Sequence, residues 1–185
     1  MINVNDFKPG VTFLYEKEIY LVLESNHSKS GRGQAHVKTK VRNLKTGTIK
    51  SITFTGGDVV YPAIIDTRKA QYLYKDNQDY IFMDEESYDQ VIIPETQLEW
   101  EKNFLVEGQV IKLKVYEELV IGVELRSTVV LTVTYTEPGV KGNTATSATK
   151  PATLETGYKV QVPLFVNNND KIIINTVDGT YKSRA

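Results

Sequence analysis

The feature that most limits what this chain can become is a two-residue alternation of apolar and polar side chains, repeated along its length. "AHVKTKVRNL" (35–44) sets Ala35, Val37, Thr39 and Val41 against His36, Lys38, Lys40 and Arg42. Successive side chains of a strand point to opposite faces, so the segment predicts a strand with one basic face. "KTGT" supplies a turn at Gly47, and "IKSITF" returns as the partner strand. "AQYLYKDNQDYIFMD" repeats the pattern around an Asp-Asn-Gln-Asp turn, and "QVIKLKVYEELVIGVEL" predicts another pair. "VVLTVTYTEP" opens after Ser127 and Thr128, and "YKVQVPLFV" with "DKIIINTV" predicts a last pair, turned by Asn167, Asn168 and Asn169. Only "ETQLEWEKNFL" (95–105) reads as a helical turn or short helix, offering Leu98, Phe104 and Leu105 to a core.

Many short strands and little helix predict small barrels rather than layered α/β architecture. Turn-like polarity at "AIIDTR" (63–68) and "LRST" (125–128) divides the chain into domains 1–64, 65–127 and 128–185. Three barrels of about 60 residues would each be roughly 25–30 Å across, on the order of 80 Å in a line. Hydrophobic residues make up 41% of the chain and charged ones 24%, the balance of a soluble globular protein. No apolar run approaches the roughly 18 residues of a membrane helix. "MINVNDFKPG" lacks the basic and apolar parts of a signal peptide, and cysteine is absent. The expectation is a cytoplasmic protein with no membrane partner, disulfide or thiolate metal site.

Charge is distributed unevenly. Segment charges are +4 over 1–65, −7 over 66–127 and +2 over 128–185. Ser25 to Gly57 contains no acid, yet carries Lys29, Arg32, Lys38, Lys40, Arg42, Lys45 and Lys50. A basic end joined to an acidic middle suits a protein oriented on a charged partner. Within the basic run, "HSKSGRGQAHV" (27–37) places Arg32 between Gly31 and Gly33 among small polar residues, where nothing can bury a guanidinium. The stretch predicts a tip loop, 28–35, that offers one cation outward. "EPGVKGNTATSATKPAT" (137–153) predicts a second long loop, 138–153, with Val140 its one large apolar residue.

Signs of catalysis are few. His27 and His36 are the only histidines, both lie beside basic residues, and no cysteine joins them as a zinc ligand. No phosphate loop or nucleophile elbow occurs. Glu85 and Glu86 sit among further acids, which favours a solvated face over a tuned acid–base pair. Tyr72, Tyr74, Tyr80 and Phe82 have the period of core residues, although such rings can also stack on bases. No catalytic residue, metal or cofactor is expected. Residues alone lead to a multi-barrel β protein whose basic end meets nucleic acid.

"NDFKPG", "KSGRGQA", "NLKTGT", "TEPGVKGNTA" and "KPATLETG" followed by "VQVPLF" together resemble bacterial elongation factor P, in order and from end to end. The resemblance implies an all-β fold: an N-terminal KOW/SH3-like barrel followed by two OB-fold barrels in an elongated, tRNA-like L-shape. It implies a monomeric accessory factor, not an enzyme, that enters the 70S ribosome between the peptidyl and exit sites and touches both subunits. There it would relieve stalling at consecutive prolines, with peptidyl-tRNA, initiator tRNA and prolyl-tRNA as partners. Lys29, Ser30, Gly31, Arg32, Gly33 and Gln34 would reach the CCA end. Lys38, Lys40 and Arg42 would contact the RNA backbone. Gly142, Asn143, Thr144, Tyr181 and Arg184 would face the small subunit and exit site.

Two positions depart from the family pattern. Many members carry a modified lysine at the tip, and a second branch carries a rhamnosylated arginine followed by asparagine; here Gly33 follows Arg32. Three states stay open for Arg32: rhamnosylated by an arginine-modifying enzyme, otherwise modified, or bare. Asn143 stands where the family usually has aspartate, which removes a charge from the third-domain loop. A general RNA-binding OB-fold protein, or a diverged elongation factor P paralogue without proline rescue, is the alternative.

Overall fold

The computed structural model describes residues 1–29, 31–139 and 148–185. Its elements are β1 (Ile2–Asn3), β2 (Thr12–Tyr15), β3 (Glu18–Ser28), β4 (His36–Asn43), β5 (Ile49–Thr55), β6 (Val59–Pro62), β7 (Asp66–Asp76), β8 (Asp79–Asp84), β9 (Gln90–Pro94), β10 (Val110–Tyr116), β11 (Leu119–Glu124), β12 (Thr128–Thr136), β13 (Thr149–Leu154), β14 (Lys159–Pro163), β15 (Lys171–Asn175) and β16 (Tyr181–Arg184). Short 3-10 turns occupy Val4–Asp6, Glu95–Gln97 and Glu101–Phe104, and no α-helix occurs among the described residues. The fold is all-β. Its sheets run β1-β6-β2-β3-β4-β5, β11-β10-β7-β8-β9 and β14-β13-β12-β15-β16.

The chain falls into two compact units, Met1–Arg68 with Leu113–Gly122, and Lys69–Lys112 with Val123–Ala185. In the first, Phe7, Phe13, Tyr20 and Phe54 pack with Val22, Val37 and Val41. Their rings meet tilted or edge-on, with Phe7 and Phe13 centroids 4.8 Å apart. In the second, Phe104 is fully buried among Leu131, Val133, Leu154, Val162, Ile172 and Ile174. The segment read as helical from 95 to 105 is two 3-10 turns, and it does bury Leu98, Phe104 and Leu105.

The alternation read in 35–44 is realised along β4. Val37, Thr39, Val41 and Asn43 are buried, while His36, Lys38, Lys40 and Arg42 are exposed. The β4–β5, β7–β8 and β10–β11 neighbours follow the sequence pattern. The expected pairing of "YKVQVPLFV" with "DKIIINTV" does not occur: β14 lies beside β13, and β15 lies beside β12. The asparagines between them bond to β12 instead of closing a hairpin. Asn168 Oδ1 accepts from Thr136 N at 2.7 Å, and Asn169 N donates to Val133 O at 2.8 Å.

Two more expectations change. Tyr72, Tyr80 and Phe82 are buried, but Tyr74 is 45% exposed. A bulge between Tyr72 and Tyr74 gives β7 one extra residue and rephases it. The long loop read as 138–153 is also shorter, because Thr149–Leu154 is strand β13, with Lys150 and Ala152 buried.

Candidate nucleic-acid interface

The β3–β4 hairpin carries the tip loop. Its last ladder pair is Ser28 with His36, so Ser28 belongs to the strand and the loop begins at Lys29. Gly31 sits at φ +47° with nothing within 4 Å of where a Cβ would stand, so it serves backbone conformation rather than packing. The loop base is held more closely. Gly56 N donates to Ala35 O at 2.7 Å, and a Cβ on Gly56 would come within 3.1 Å of the Ala35 Cβ. Lys29, Gly31, Arg32, Gly33 and Gln34 are all exposed. Arg32 has no hydrogen bond or ion pair among the described residues. Ser30 lies outside them.

Below the loop, Lys38, Lys40 and Arg42 emerge from alternate positions of β4. Two residues of strand rise by about 6.6–6.8 Å, so these three cations form an evenly spaced row. On the same face stand their partners across the ladder: Thr53, Ser51 and Ile49 on β5, and Asn26 and Glu24 on β3 for the two lysines. Glu24 therefore faces Lys40, and the acid-free run in the sequence is not an acid-free surface. The signal was there in Glu24 itself, one residue before the run, but it needs the register to interpret it.

Lys50 belongs to the other face. It stands opposite Val41, with its Nζ 4.9 Å from the Tyr20 ring centre. A hydrogen bond with the Tyr20 hydroxyl holds its ammonium above the ordinary lysine range. Lys45 sits in the turn after β4, where Asn43 Oδ1 accepts from the backbone of Lys45 and Thr46. The seven bases of the sequence run thus separate into a row, a loop pair, a turn and one exposed partner of Tyr20 on the opposite face.

In the second unit, Tyr181 and Arg184 share β16. Tyr181 is half-buried against the core. Arg184 places its guanidinium 4.3 Å from the Phe165 ring centre and donates from Nη2 to Phe165 O at 3.3 Å. Phe165 is 53% exposed, so the two form a surface stack that the sequence reading missed. A large apolar residue after Pro163 and Leu164 reads as core until the strand end is known.

Gly142, Asn143 and Thr144 lie outside the described residues. The strand ends leading to them are well bonded: buried Lys150 donates from Nζ to Glu137 O at 2.7 Å, and Thr136 Oγ1 donates to Pro151 O at 3.0 Å. No cluster of metal-ligating side chains occurs among the described residues, and both histidines are exposed. No helix of the described residues is long and apolar enough to cross a membrane.

Comparison with known proteins brings these features together. Residues 3–60 match the elongation factor P KOW-like domain, 65–123 the elongation factor P OB domain, and 129–184 the elongation factor P C-terminal domain. Among solved structures, the eukaryotic translation initiation factor 5A from Methanococcus jannaschii is similar at 22% identity, with 65% of this chain and 86% of that one covered and a TM-score of 0.49. A translation initiation factor eif-5a family protein from Naegleria fowleri is similar at 14% identity, with 67% and 96% covered and a TM-score of 0.45. With all three domains matched in order over nearly its whole length, the chain belongs to the elongation factor P family of translation factors.

Proposed function

We propose that this protein binds the 70S ribosome between the peptidyl and exit sites and speeds peptide-bond formation at consecutive prolines. The observation that carries this reading is Arg32: an exposed, unpaired cation on a loop clipped at its base, above a row of cations on one strand face, in an elongation factor P chain. Proline's ring restricts backbone geometry, so proline is a slow partner in peptide transfer and gains from being held in place. A loop that fixes the CCA end of peptidyl-tRNA lowers the barrier by positioning, without bond chemistry of its own. Each 1.36 kcal/mol removed gives about a factor of ten in rate, so a few contacts suffice.

In this reading the factor is a cytoplasmic monomer of three domains and is not an enzyme. Lys29, Ser30, Gly31, Arg32, Gly33 and Gln34 meet the CCA end, and Lys38, Lys40 and Arg42 follow the tRNA backbone. Gly142, Asn143, Thr144, Tyr181 and Arg184 meet the small subunit and exit site. Peptidyl-tRNA, including initiator and prolyl-tRNA, is the shared partner. Arg32 is the candidate substrate of an arginine-modifying enzyme, rhamnosylation being one option, and intact mass of the native protein reads its state directly.

The deciding experiment is purified translation of a proline-run message and a proline-free message, with and without the protein. The reading expects acceleration of the proline run alone. Equal acceleration of both messages, or of neither, favours a general RNA-binding role or a paralogue without rescue activity.

A further inference from the structure

One face of the middle sheet carries a row of three large apolar side chains whose middle member is buried and whose two ends are left exposed. The register places Tyr74, Ile81 and Ile92 directly in line across β7, β8 and β9. Tyr74 is 45% exposed and Ile92 is 61% exposed, with Ile81 buried between them. The bulge after Tyr72 turns Tyr74 to this side. The next row along the same face is Gln71, Met83 and Gln90. Isolated surface apolar residues need no explanation, but a contiguous row ending on an open strand is different. That strand is β9, which closes the hydrogen-bonded order β11-β10-β7-β8-β9 and leaves one side of its backbone unpaired within the sheet.

Acidic side chains lie near both ends of β9, beyond the row. On one side Asp76 stands directly opposite Asp79, in line with Pro94. Both carboxylates are exposed, and neither has an ion pair among the described residues. Like charges directly opposite across a ladder are destabilising, so this pair gains from an outside cation. At the other end of β9 lie Glu86, Tyr88 and Asp89, with Tyr88 73% exposed. Phosphate would be repelled from both ends.

We propose that β9 is a docking edge for an extended segment of a basic protein. The segment adds as a strand beside Gln90–Pro94, sets one large apolar side chain next to Ile92, and carries lysine or arginine two residues to either side. The period of two puts all three side chains on the same face. Strands lie about 4.8 Å apart, so a lysine on the added strand reaches over uncharged Pro94 to Asp79. Pro94 has no backbone N–H to offer, which keeps the contact short and reversible. The inference concerns the second unit alone and does not depend on the ribosome reading.

The test uses the full-length protein and a fluorescein-labelled, end-capped peptide Lys-Thr-Ile-Thr-Lys. Saturable binding is expected below about 1 mM peptide. Peptides with both lysines changed to glutamate, or with the isoleucine changed to serine, are expected to bind about tenfold more weakly or worse. Backbone amide shifts are expected to cluster on residues 88–94, and Asp76→Lys with Asp79→Lys or Ile92→Thr to weaken binding with the thermal melt unchanged. Because Ile92 and both aspartates are exposed, a variant that does not fold contradicts the surface on which the proposal rests. The proposal is overturned if the lysine and glutamate peptides bind alike or neither binds. It is equally overturned if shifts fall elsewhere, if a uridine hexamer competes at β9, or if sedimentation shows β9 occupied by a second copy of the chain.

Discussion

Glu24 stands directly opposite Lys40 on the β3–β4 ladder, so a carboxylate occupies the centre of the basic face. Its Oε1 accepts from Asn26 Nδ2 at 3.2 Å, which keeps the side chain along β3. A phosphate approaching Lys40 meets this negative charge as well. If the proposed ribosome contact runs through this face, Glu24→Gln is therefore expected to strengthen ribosome binding. Reversing Lys38, Lys40 and Arg42 to glutamate is expected to weaken it and lower the salt slope by about one for each phosphate no longer neutralised. Binding measured over a range of salt concentrations checks both signs, and a slope unchanged by the triple reversal would place the RNA contact elsewhere.

Lys150 shows a second use of charge. It is 7% exposed, and its Nζ donates to Glu137 O at the entrance to the segment from 140 to 147. Lys150→Met keeps most of the volume but leaves that carbonyl without its donor. A loss of roughly 1–3 kcal/mol in unfolding free energy is expected, the cost of an unmade hydrogen bond to a charged group. Denaturant unfolding of the two proteins measures it, and a neutral result would mean that water replaces the ammonium.

Much of the fold was legible because alternation survives packing. The row Lys38, Lys40, Arg42 followed from the period alone, and so did the burial of Val37 and Val41. What was not legible depended on partners distant in sequence. Glu24 acquires its meaning from the register with Lys40, and Tyr74 leaves the core because of one bulge. The asparagines before β15 looked like a hairpin turn, but they bond to β12. Two hairpin turns carry no turn residue to mark them, although the β10–β11 pair was read from its apolar pattern. Glu16-Lys17 and Glu117-Glu118 both have positive φ, with neither glycine nor asparagine present.

Those turns yield a stability prediction. Glu16 at φ 49° and Lys17 at φ 66° join Tyr15 to Glu18 in a two-residue loop of the type that favours Asn-Gly. A side chain in the left-handed region costs about 1–2 kcal/mol, which glycine avoids at some cost in chain entropy. Replacing Glu16-Lys17 with Asn-Gly is expected to raise stability by about 1 kcal/mol in denaturant unfolding. A loss of stability would mean that Glu16 or Lys17 makes contacts worth more than the strain.

A third charged cluster predicts a pH dependence. Hydrogen bonds from Lys102 at 3.2 Å and Lys75 at 3.4 Å hold the Glu95 carboxyl below its ordinary value of 4.5. A carboxylate with a lowered folded-state pKa contributes stability that is complete above the unfolded value and disappears as pH falls through the folded one. Glu95→Gln is thus expected to lower the melting temperature near pH 7 and to converge on the wild type as pH falls through the lowered folded-state value, where the Glu95 carboxylate becomes protonated. The pairs are partly exposed, so the difference near neutrality is small and shrinks with added salt. A difference that persists in acid would assign the effect to packing.

The last prediction concerns Arg32. Its side chain is exposed and without a partner among the described residues, so folding gains little from it. Arg32→Ala is expected to change stability by no more than about 0.5 kcal/mol, the usual range for surface substitutions. If the loop is the working end, the same variant slows synthesis through consecutive prolines and leaves a proline-free message unaffected. Arg32→Lys separates charge from shape. Lysine keeps the cation but loses the planar fork that grips phosphate in two places and stacks on a base, so partial rescue is expected. Full activity of Arg32→Lys would mean that charge alone suffices. Arg32→Ala slowing both messages equally, or neither, would move the working end away from the β3–β4 loop.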